Sequence, residues 1–186
     1  MPADPATLRA LAHDPGGKSK PRWPFGSQVN AVFSDCNKYR YALSEIWNET
    51  KPIVMFLMMN PSVAGVEHSD PTLIRTGNFA RLWGYGGQLV GNIHAYRVTD
   101  SKLLATIADP VGPECDLHLF QMAQQAEMVV LAYGLPPKAL RPRATQIVRL
   151  LREAGHRLTY LRLSKDGTPS HPLYLPGNLV PQEYIP

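Results

Sequence analysis

Cysteines and long apolar runs are scarce in this chain of 186 residues. Two cysteines, Cys36 and Cys115, do not make a disulfide framework, and they are too few for a four-cysteine zinc or iron–sulfur site. No apolar run approaches the roughly 20 residues that span a bilayer. The first residues do not show the charged start and apolar stretch of a secretory signal. We therefore expect a cytoplasmic protein without a membrane partner.

Several cofactor and catalytic motifs are also missing from the sequence. There is no Gly-x-Gly-x-x-Gly and no Walker lysine loop, so dinucleotide and ATP sites are not supported. Gly-x-Ser-x-Gly is absent, which argues against a standard serine hydrolase. His68, Asp70 and His94 are too scattered to indicate a metal site. We expect neither a metal nor a cofactor.

The domain organisation follows from composition. Apolar residues make up 44% of the chain, enough for the core of one domain. Residues 1–30 are rich in proline, contain the pair Gly16-Gly17 and show no periodicity. They are predicted to form an irregular arm with at most a short helix at 6–13. Residues 31–186 are predicted to form a single α/β domain.

One apolar run, at residues 53–59, is the clearest strand in the sequence. It ends abruptly at Asn60 and Pro61, and a short apolar run bounded by turn residues predicts a buried strand of a parallel sheet. Pro61 has no N–H for the strand ladder, so the strand must stop there. Asn60 is thereby placed at the carboxyl edge, where open α/β sheets bind ligands. An ordinary strand-ending turn is the alternative interpretation.

Strand and helix patterns alternate along the rest of the chain. Strands are predicted at 39–47, 53–59, 88–95, 128–133 and 158–163. Helices are predicted from Ser69 or Asp70 to Gly84, at 101–108, from Pro113 onwards, and at 139–154 with Gly155 as the cap. This alternation predicts a three-layer α/β/α sandwich with a mainly parallel central sheet.

Four polar clusters follow predicted strands and should converge on one sheet edge. The clusters are Asn60-Pro61-Ser62; Asn92 with His94, Tyr96 and Arg97; Tyr133-Gly134; and His171 with Leu173 and Tyr174. Asp70 lies at the loop-to-helix junction beyond the first cluster, where a helix cap is an alternative to a catalytic base. His94 is equally well a packed core histidine. Amides, an aromatic ring and an imidazole suit a planar ligand with hydrogen-bonding edges, such as a nucleobase.

Positive charge is concentrated between residues 138 and 165. The net charge is +4, and this stretch contains many basic side chains against the single acid Glu153. Such a stretch is able to follow nucleic-acid phosphates, with Arg141, Arg143 and Lys165 as candidate contacts. A solvated helix face explains the same charges.

A resemblance to a known family covers residues 34 to 176. The matching stretches are Arg40-Tyr-Ala-Leu43, Met59-Asn-Pro-Ser62, Asp70-Pro-Thr72, Gly84-Tyr-Gly86, Asn92 with Ala95-Tyr-Arg97, Val111-Gly-Pro113 and His171-Pro-Leu-Tyr174. In this order they resemble a bacterial and phage family catalogued as domain of unknown function 1643. The name of that family carries no function.

A second resemblance does imply a function. Met58-Met59-Asn60-Pro61 at a strand end and His171-Pro172-Leu173 in a late loop are similar to the first and last motifs of the uracil-DNA glycosylase superfamily. That superfamily has a parallel α/β/α sandwich. Here Met58 replaces the motif glycine, Leu173 replaces the serine after His-Pro, and Asn60 is a weaker base than the aspartate of some members. Asp70 would have to substitute as the base.

The glycosylase resemblance implies a role for each of these side chains. Asn60 would position the attacking water, and Asn92 would hydrogen-bond the base. His171 would stabilise negative charge on the departing base. Leu173 or Tyr174 would wedge into a duplex when a base is flipped out.

These patterns lead to one hypothesis and two alternatives. The leading hypothesis is a nucleic-acid-processing hydrolase that cleaves the N-glycosidic bond of a modified or damaged base. The first alternative is a non-catalytic protein on the same fold that binds nucleic acid or a nucleotide. The second is a scaffold protein without affinity for DNA.

Overall fold

A computed structural model describes residues 20–62 and 64–185 of the chain. The strands in this part are β1 (Gln28–Phe33), β2 (Arg40–Ile46), β3 (Ile53–Met58), β4 (Gly87–Asn92), β5 (Met128–Leu131), β6 (Leu158–Tyr160) and β7 (Gln182–Glu183). The α-helices are α1 (Pro71–Leu82), α2 (Cys115–Gln125) and α3 (Arg141–Glu153). Short 3₁₀ helices occur at Ser101–Thr106, Lys138–Leu140 and Pro172–Tyr174. The helix predicted at 6–13 lies outside the described residues.

The strands form one mixed sheet in the order β1-β2-β4-β3-β5-β6-β7. The four strands β4, β3, β5 and β6 run parallel to one another. The pairs β1–β2, β2–β4 and β6–β7 are antiparallel. The α/β class is confirmed, but the expectation of a mainly parallel sheet is not. The connection between β1 and β2 is too short for the crossover that parallel strands require, so these two strands must form a hairpin.

Strand β1 lies partly within the segment predicted to be an irregular arm. Its burial alternates between exposed and half-buried residues, and Val29 is paired with Glu45 of β2. Only one face of this strand is partly buried, so its sequence has few apolar residues in alternation. This weak pattern follows a proline-rich segment, which favours irregular structure. The proposed boundary at residue 30 therefore falls inside a strand.

Helix α1 begins where the sequence predicts a helix start. The Asp70 side chain accepts a hydrogen bond from the backbone N–H of Leu73 at 2.9 Å, and Pro71 occupies the first helical position. After the last turn, Gly84 adopts a positive φ of 87° and its N–H donates to Arg81 O. The prediction of a helix between Asp70 and Gly84 is confirmed.

Strand β3 is buried on both faces, as its continuous apolar sequence predicts. Met55 and Leu57 belong to a hydrophobic cluster that includes residues of α2 and α3. Val54, Phe56 and Met58 belong to a second cluster that includes residues of α1. Since successive side chains of a strand point to opposite faces, helices cover both faces of β3. The position of Asn60 just beyond this strand is thus anchored by packing from two sides.

A buried carboxylate cluster attaches α1 to the sheet. Glu45 of β2 is fully buried and accepts hydrogen bonds from Ser27 Oγ at 2.6 Å, Arg81 Nη2 at 2.7 Å and Gln88 Nε2 at 2.7 Å. Gly77 of α1 leaves room for this cluster, because a Cβ there would lie 2.8 Å from Arg81 Nη1 and 3.1 Å from the Glu45 carboxylate. The ion pair between Arg81 and Glu45 therefore fixes how α1 lies on the sheet.

Across residues 20–62 and 64–185, none of the helices has the length and apolar character needed to cross a bilayer.

Candidate functional site

A cavity of about 530 Å³ opens at the carboxyl ends of β3, β4 and β5. Asn60 follows β3, Asn92 ends β4, and Tyr133 follows β5. The beginning of α1 and the 3₁₀ helix Pro172–Tyr174 complete its wall. The volume is in the range of small-molecule sites, roughly 300 to 1,000 Å³. The cavity therefore has room for a ligand of nucleobase size.

Most of the predicted site residues line this cavity. They are Asn60, Ser62, Asp70, Asn92, Tyr133, His171, Leu173 and Tyr174. They come from five separated segments of the chain, which the sheet and the elements packed on it bring to one edge.

Three predicted ligand-binding residues do not line the cavity. Pro61 is buried, and its carbonyl accepts from the N–H of Val98 at 3.0 Å. The Tyr96 ring packs edge-on against Tyr39, with ring centroids 5.6 Å apart. Arg97 donates to Asn37 Oδ1 at 2.7 Å. These three residues therefore contact neighbouring loops of the protein. Side chains that follow the end of a strand point in different directions, so position at a strand end does not by itself place a side chain in the cavity.

The three candidate phosphate contacts also lie outside the cavity wall. Arg143 is mostly buried, forms an ion pair with Asp116 and donates to Ile93 O at 3.3 Å. Arg141 Nε donates to Pro136 O at 3.3 Å, and Lys165 is exposed in the loop after β6. The charge of Arg143 is thus already compensated within the protein. Counting charges along the sequence could not reveal this pairing.

Asn60 is held in a defined orientation. Its Nδ2 donates to Val98 O at 2.6 Å and to Pro61 O at 3.1 Å. The amide oxygen, Oδ1, makes no hydrogen bond to any part of the chain that the structure describes. Asn60 therefore offers an acceptor, which is suitable for a water molecule or an N–H group.

Arg40 is a site residue that the sequence analysis did not identify. It is only 3% exposed, and it lines the cavity. Its Nη1 donates to Ala64 O at 2.8 Å and its Nη2 to Asn92 Oδ1 at 3.4 Å. Burial lowers the pKa of Arg40 to about 10, and the negative charge of Asp70 partly opposes this shift. The indication in the sequence was an arginine at a position of the predicted strand 39–47 whose side chain faces the core.

His171 is half-buried beside Gly134, in the loop that follows β6. Its Nδ1 accepts from the N–H of Leu173 at 3.4 Å, so the proton of a neutral ring lies on Nε2. Burial lowers the pKa of His171, and the charge of Asp70 acts in the opposite direction. Gly134 has a φ of 66°, and a Cβ there would lie 3.3 Å from His171 Cβ. His171 is therefore a neutral N–H donor at neutral pH, with a closely packed backbone behind it.

Asp70 is both the cap of α1 and part of the cavity wall. Oδ1 is engaged by Leu73 N–H, as the cap interpretation predicts. Its charge raises the pKa of both Arg40 and His171, so the three groups interact electrostatically. With Arg40 positive, Asp70 negative and His171 neutral, these groups carry no net charge together.

The rest of the cavity wall combines several apolar side chains with the hydroxyl groups of threonine and serine side chains. Met58 and Met59 are buried and form part of the wall. Tyr174 and Leu135 line the cavity while being 90% and 56% exposed. Exposed aromatic and aliphatic side chains at the mouth are suitable for contact with a flat ligand or its neighbours.

His94 does not line the cavity, although it lies two residues beyond Asn92. It is fully buried, and neither ring nitrogen has a hydrogen-bond partner. Burial and the positive charge of Arg143 lower the pKa of His94 to about 4. His94 is a packed neutral histidine. No group of three or more His, Cys, Asp or Glu side chains able to hold a metal occurs in residues 20–62 and 64–185.

Comparison with known proteins identifies the family. The family described as "Protein of unknown function (DUF1643)" matches residues 40–173, which is most of the chain. The chain belongs to this family. Neither a search of curated proteins nor a search of solved structures found a match.

Proposed function

We propose that this member of the DUF1643 family hydrolyses the N-glycosidic bond of a modified or damaged base in nucleic acid, on a glycosylase-like α/β/α arrangement. The observation that carries the proposal is the convergence of Asn60, Asp70, Asn92 and His171 on one cavity at the carboxyl edge of the parallel strands. These side chains offer an acceptor, a carboxylate, an amide and an N–H donor. Hydrolysis of a base–sugar bond requires groups of these kinds.

The proposed reaction assigns a part to each group. Asn60 Oδ1 accepts a hydrogen bond from the attacking water, and the Asp70 oxygen that does not cap α1 takes the water's proton. The water oxygen bonds to the anomeric carbon as the carbon–nitrogen bond breaks, and the bonding electrons leave with the base. His171 Nε2–H donates to an oxygen of the departing base and stabilises its negative charge. The base finally acquires a proton from solvent.

The environment of His171 supports this assignment. Burial lowers its pKa, and Leu173 N–H occupies Nδ1. A neutral imidazole donates a hydrogen bond without requiring a buried second cation beside Arg40. Such a donor is most effective where it is already oriented before negative charge develops.

The mouth of the cavity supports a polymeric substrate. Tyr174 is 90% exposed beside the opening, and Leu173 lines the wall next to it. A base that enters the cavity from a strand leaves a gap in the stack, which side chains of these types are able to fill. Stacking of a base on an aromatic side chain is worth about 1 to 3 kcal/mol.

Base release tests the proposal directly. Purified protein is incubated with oligonucleotides that contain uracil, mismatched, alkylated or hypermodified bases, and mass spectrometry detects a freed base. We expect release from at least one substrate, and we expect His171→Ala and Asn60→Ala to reduce it by about 100-fold or more. His156→Ala and Asn78→Ala are matched controls outside the cavity wall and should retain activity. Release that persists at wild-type rates in His171→Ala would contradict the assigned roles.

A non-catalytic binder of nucleic acid or nucleotide is the second candidate. It is favoured by the engagement of Asp70 as a helix cap and by the amide at position 60, which is a poor base. This candidate predicts DNA binding that weakens steeply with rising salt, without base release from any substrate. Tyr174→Ala should then weaken DNA binding, since the exposed ring would no longer stack.

A further inference from the structure

We infer that Arg40 is a positioning residue that fixes the amide of Asn92, so that the cavity selects a ligand edge bearing a carbonyl oxygen over one bearing an amino group. The inference rests on the proposed function in taking the ligand to be a nucleobase. The glycosylase resemblance already implies that Asn92 contacts the base; the structure adds Arg40, the residue that would set the orientation of that amide.

The orientation of the Asn92 amide follows from the chemistry of the guanidinium group. Arginine has only N–H donors and no acceptor, so the amide atom facing it must be the oxygen. Arg40 Nη2 lies 3.4 Å from Asn92 Oδ1 and its Nη1 lies 2.8 Å from Ala64 O. The second contact anchors the guanidinium independently of Asn92. Reversing the amide would place its NH₂ group against a cation that can only donate.

The fixed amide leaves one group for the ligand. Asn92 lines the cavity, and within residues 20–62 and 64–185 its side chain is hydrogen-bonded through Oδ1 and not through Nδ2. Two N–H donors are thus available on the cavity side of Asn92. A carbonyl oxygen of a base can accept from them, whereas an exocyclic amino group would place donors against donors.

Burying the charge of Arg40 costs free energy, which indicates that the arginine has a role in the site. Arg40 is only 3% exposed, and its Nε is buried without a hydrogen-bond partner. A well-packed apolar side chain commonly replaces a buried charge without loss of stability, so packing alone does not require arginine here. Orienting an amide does require it, because an apolar side chain would let Asn92 reverse.

The charges of the cavity wall agree with an uncharged ligand edge. The charge of Asp70 opposes part of the lowering of the Arg40 pKa that burial causes, so the cation has a counter-charge. The imidazole of His171 is neutral at neutral pH because burial lowers its pKa. The cavity therefore offers directional hydrogen bonds to a base edge rather than a net charge to a phosphate.

Binding of paired nucleosides tests the selectivity separately from hydrolysis. Deoxyuridine has a carbonyl at C4 and a proton on N3, where deoxycytidine has an amino group and an unprotonated N3. Deoxyinosine and deoxyadenosine differ in the same way at C6 and N1. Ligand-detected NMR titrations would give the dissociation constants. We expect the wild type to favour the carbonyl member of both pairs by about 10-fold or more, a range set by single base-edge contacts. Arg40→Met should reduce this ratio to near one, and Asn92→Asp should reverse it.

Controls separate positioning from folding. Arg152→Met removes another arginine that is partly buried but lies on α3, outside the cavity wall, and it should leave the ratio unchanged. If Arg40→Met does not fold, Arg40→Lys and Asn92→Asp carry the test, because lysine keeps the charge with a single donor group. The lysine variant should retain only part of the preference.

The outcomes for the two proposals are distinct. Base release with no carbonyl preference, or a preference that survives in Arg40→Met, would refute the inference while leaving the hydrolase proposal intact. Carbonyl selectivity without any base release would support the inference for a binding protein. Failure of all four nucleosides to bind, together with no base release, would refute both.

Discussion

Asp70 has two roles in the structure, and two substitutions separate them. Its Oδ1 accepts from Leu73 N–H at 2.9 Å, and its charge acts on Arg40 and His171. Asp70→Asn keeps a side-chain oxygen that can cap α1 and removes the charge. Asp70→Ala removes both. Comparing the two variants isolates the carboxylate from the cap.

The free energies of unfolding of the two variants should differ by the contribution of the helix cap. Loss of a side-chain cap costs about 0.5 to 2 kcal/mol, and asparagine caps a helix as well as aspartate does. For a domain of this size, 1 kcal/mol corresponds to about 2 to 4 °C in melting temperature. We expect Asp70→Ala to melt several degrees below the wild type and Asp70→Asn to melt close to it, as measured by differential scanning calorimetry.

The activity of the variants should follow the charge and not the cap. If Asp70 takes the proton from water, Asp70→Asn should lose base release by about 100-fold or more, at nearly unchanged stability. The pKa of His171 should fall further, because the negative charge that raises it is gone. Histidine NMR resonances of the wild type and Asp70→Asn would measure that change.

Two results would refute this reasoning. Wild-type base release in Asp70→Asn would show that the carboxylate is not the base. An Asp70→Asn variant as unstable as Asp70→Ala would show that the cap depends on charge. Asp109→Asn is the control, since Asp109 also accepts backbone N–H groups but is exposed and outside the cavity wall.

Two further predictions concern stability. Burial lowers the pKa of His94 to about 4 in the folded protein, against an ordinary value near 6.5 in the unfolded chain. Between these two pH values the unfolded chain binds a proton that the folded chain does not. The free energy of unfolding is therefore unaffected by His94 above about pH 6.5 and decreases as the pH falls towards 4. Urea unfolding measures the decrease in the free energy of unfolding between about pH 7.5 and pH 5. We expect this decrease to be about 2 kcal/mol smaller in His94→Leu, and an unchanged decrease would be contrary evidence. Gly77→Ala should destabilise the protein despite the roughly 1 kcal/mol higher helix propensity of alanine, because its Cβ collides with the buried carboxylate cluster. Asn78→Ala, on the exposed side of α1, should be neutral or stabilising, and equal melting temperatures for the two variants would contradict the collision.

Local sequence was sufficient for the elements that bear the site. The apolar run ending at Asn60 and Pro61 predicts β3, and Asp70 with Pro71 predicts the start of α1. Both depend on properties of the residues themselves, namely continuous burial and the satisfaction of free backbone N–H groups. Strand β1 was missed because half of its surface is exposed and its period-two pattern is short.

The antiparallel strands and the role of Arg40 depend on contacts between distant residues. Residues 28–33 do not indicate by themselves which strand they pair with. Their hairpin with β2 is one of the three antiparallel pairs that make the sheet mixed. Arg40 and Asn92 are separated by most of the first half of the chain, yet their side chains meet in the cavity. Likewise, the sequence makes Arg143 a candidate phosphate contact, whereas in the folded chain its charge is paired with that of Asp116.

Local sequence patterns were enough to place the chemical groups at strand ends and helix starts: an amide at position 60, a carboxylate at position 70 and an imidazole at position 171. Spacing along the chain decides these because strands and helices form from local patterns. Which atoms of those groups are engaged, and which remain for a ligand, depends on contacts made in the folded chain. Val98 O holds the Asn60 Nδ2, Leu73 N–H engages Asp70, and Arg40 turns the amide of Asn92. Hydrogen bonds are directional, so the orientation of each side chain depends on partners that folding brings from elsewhere in the chain.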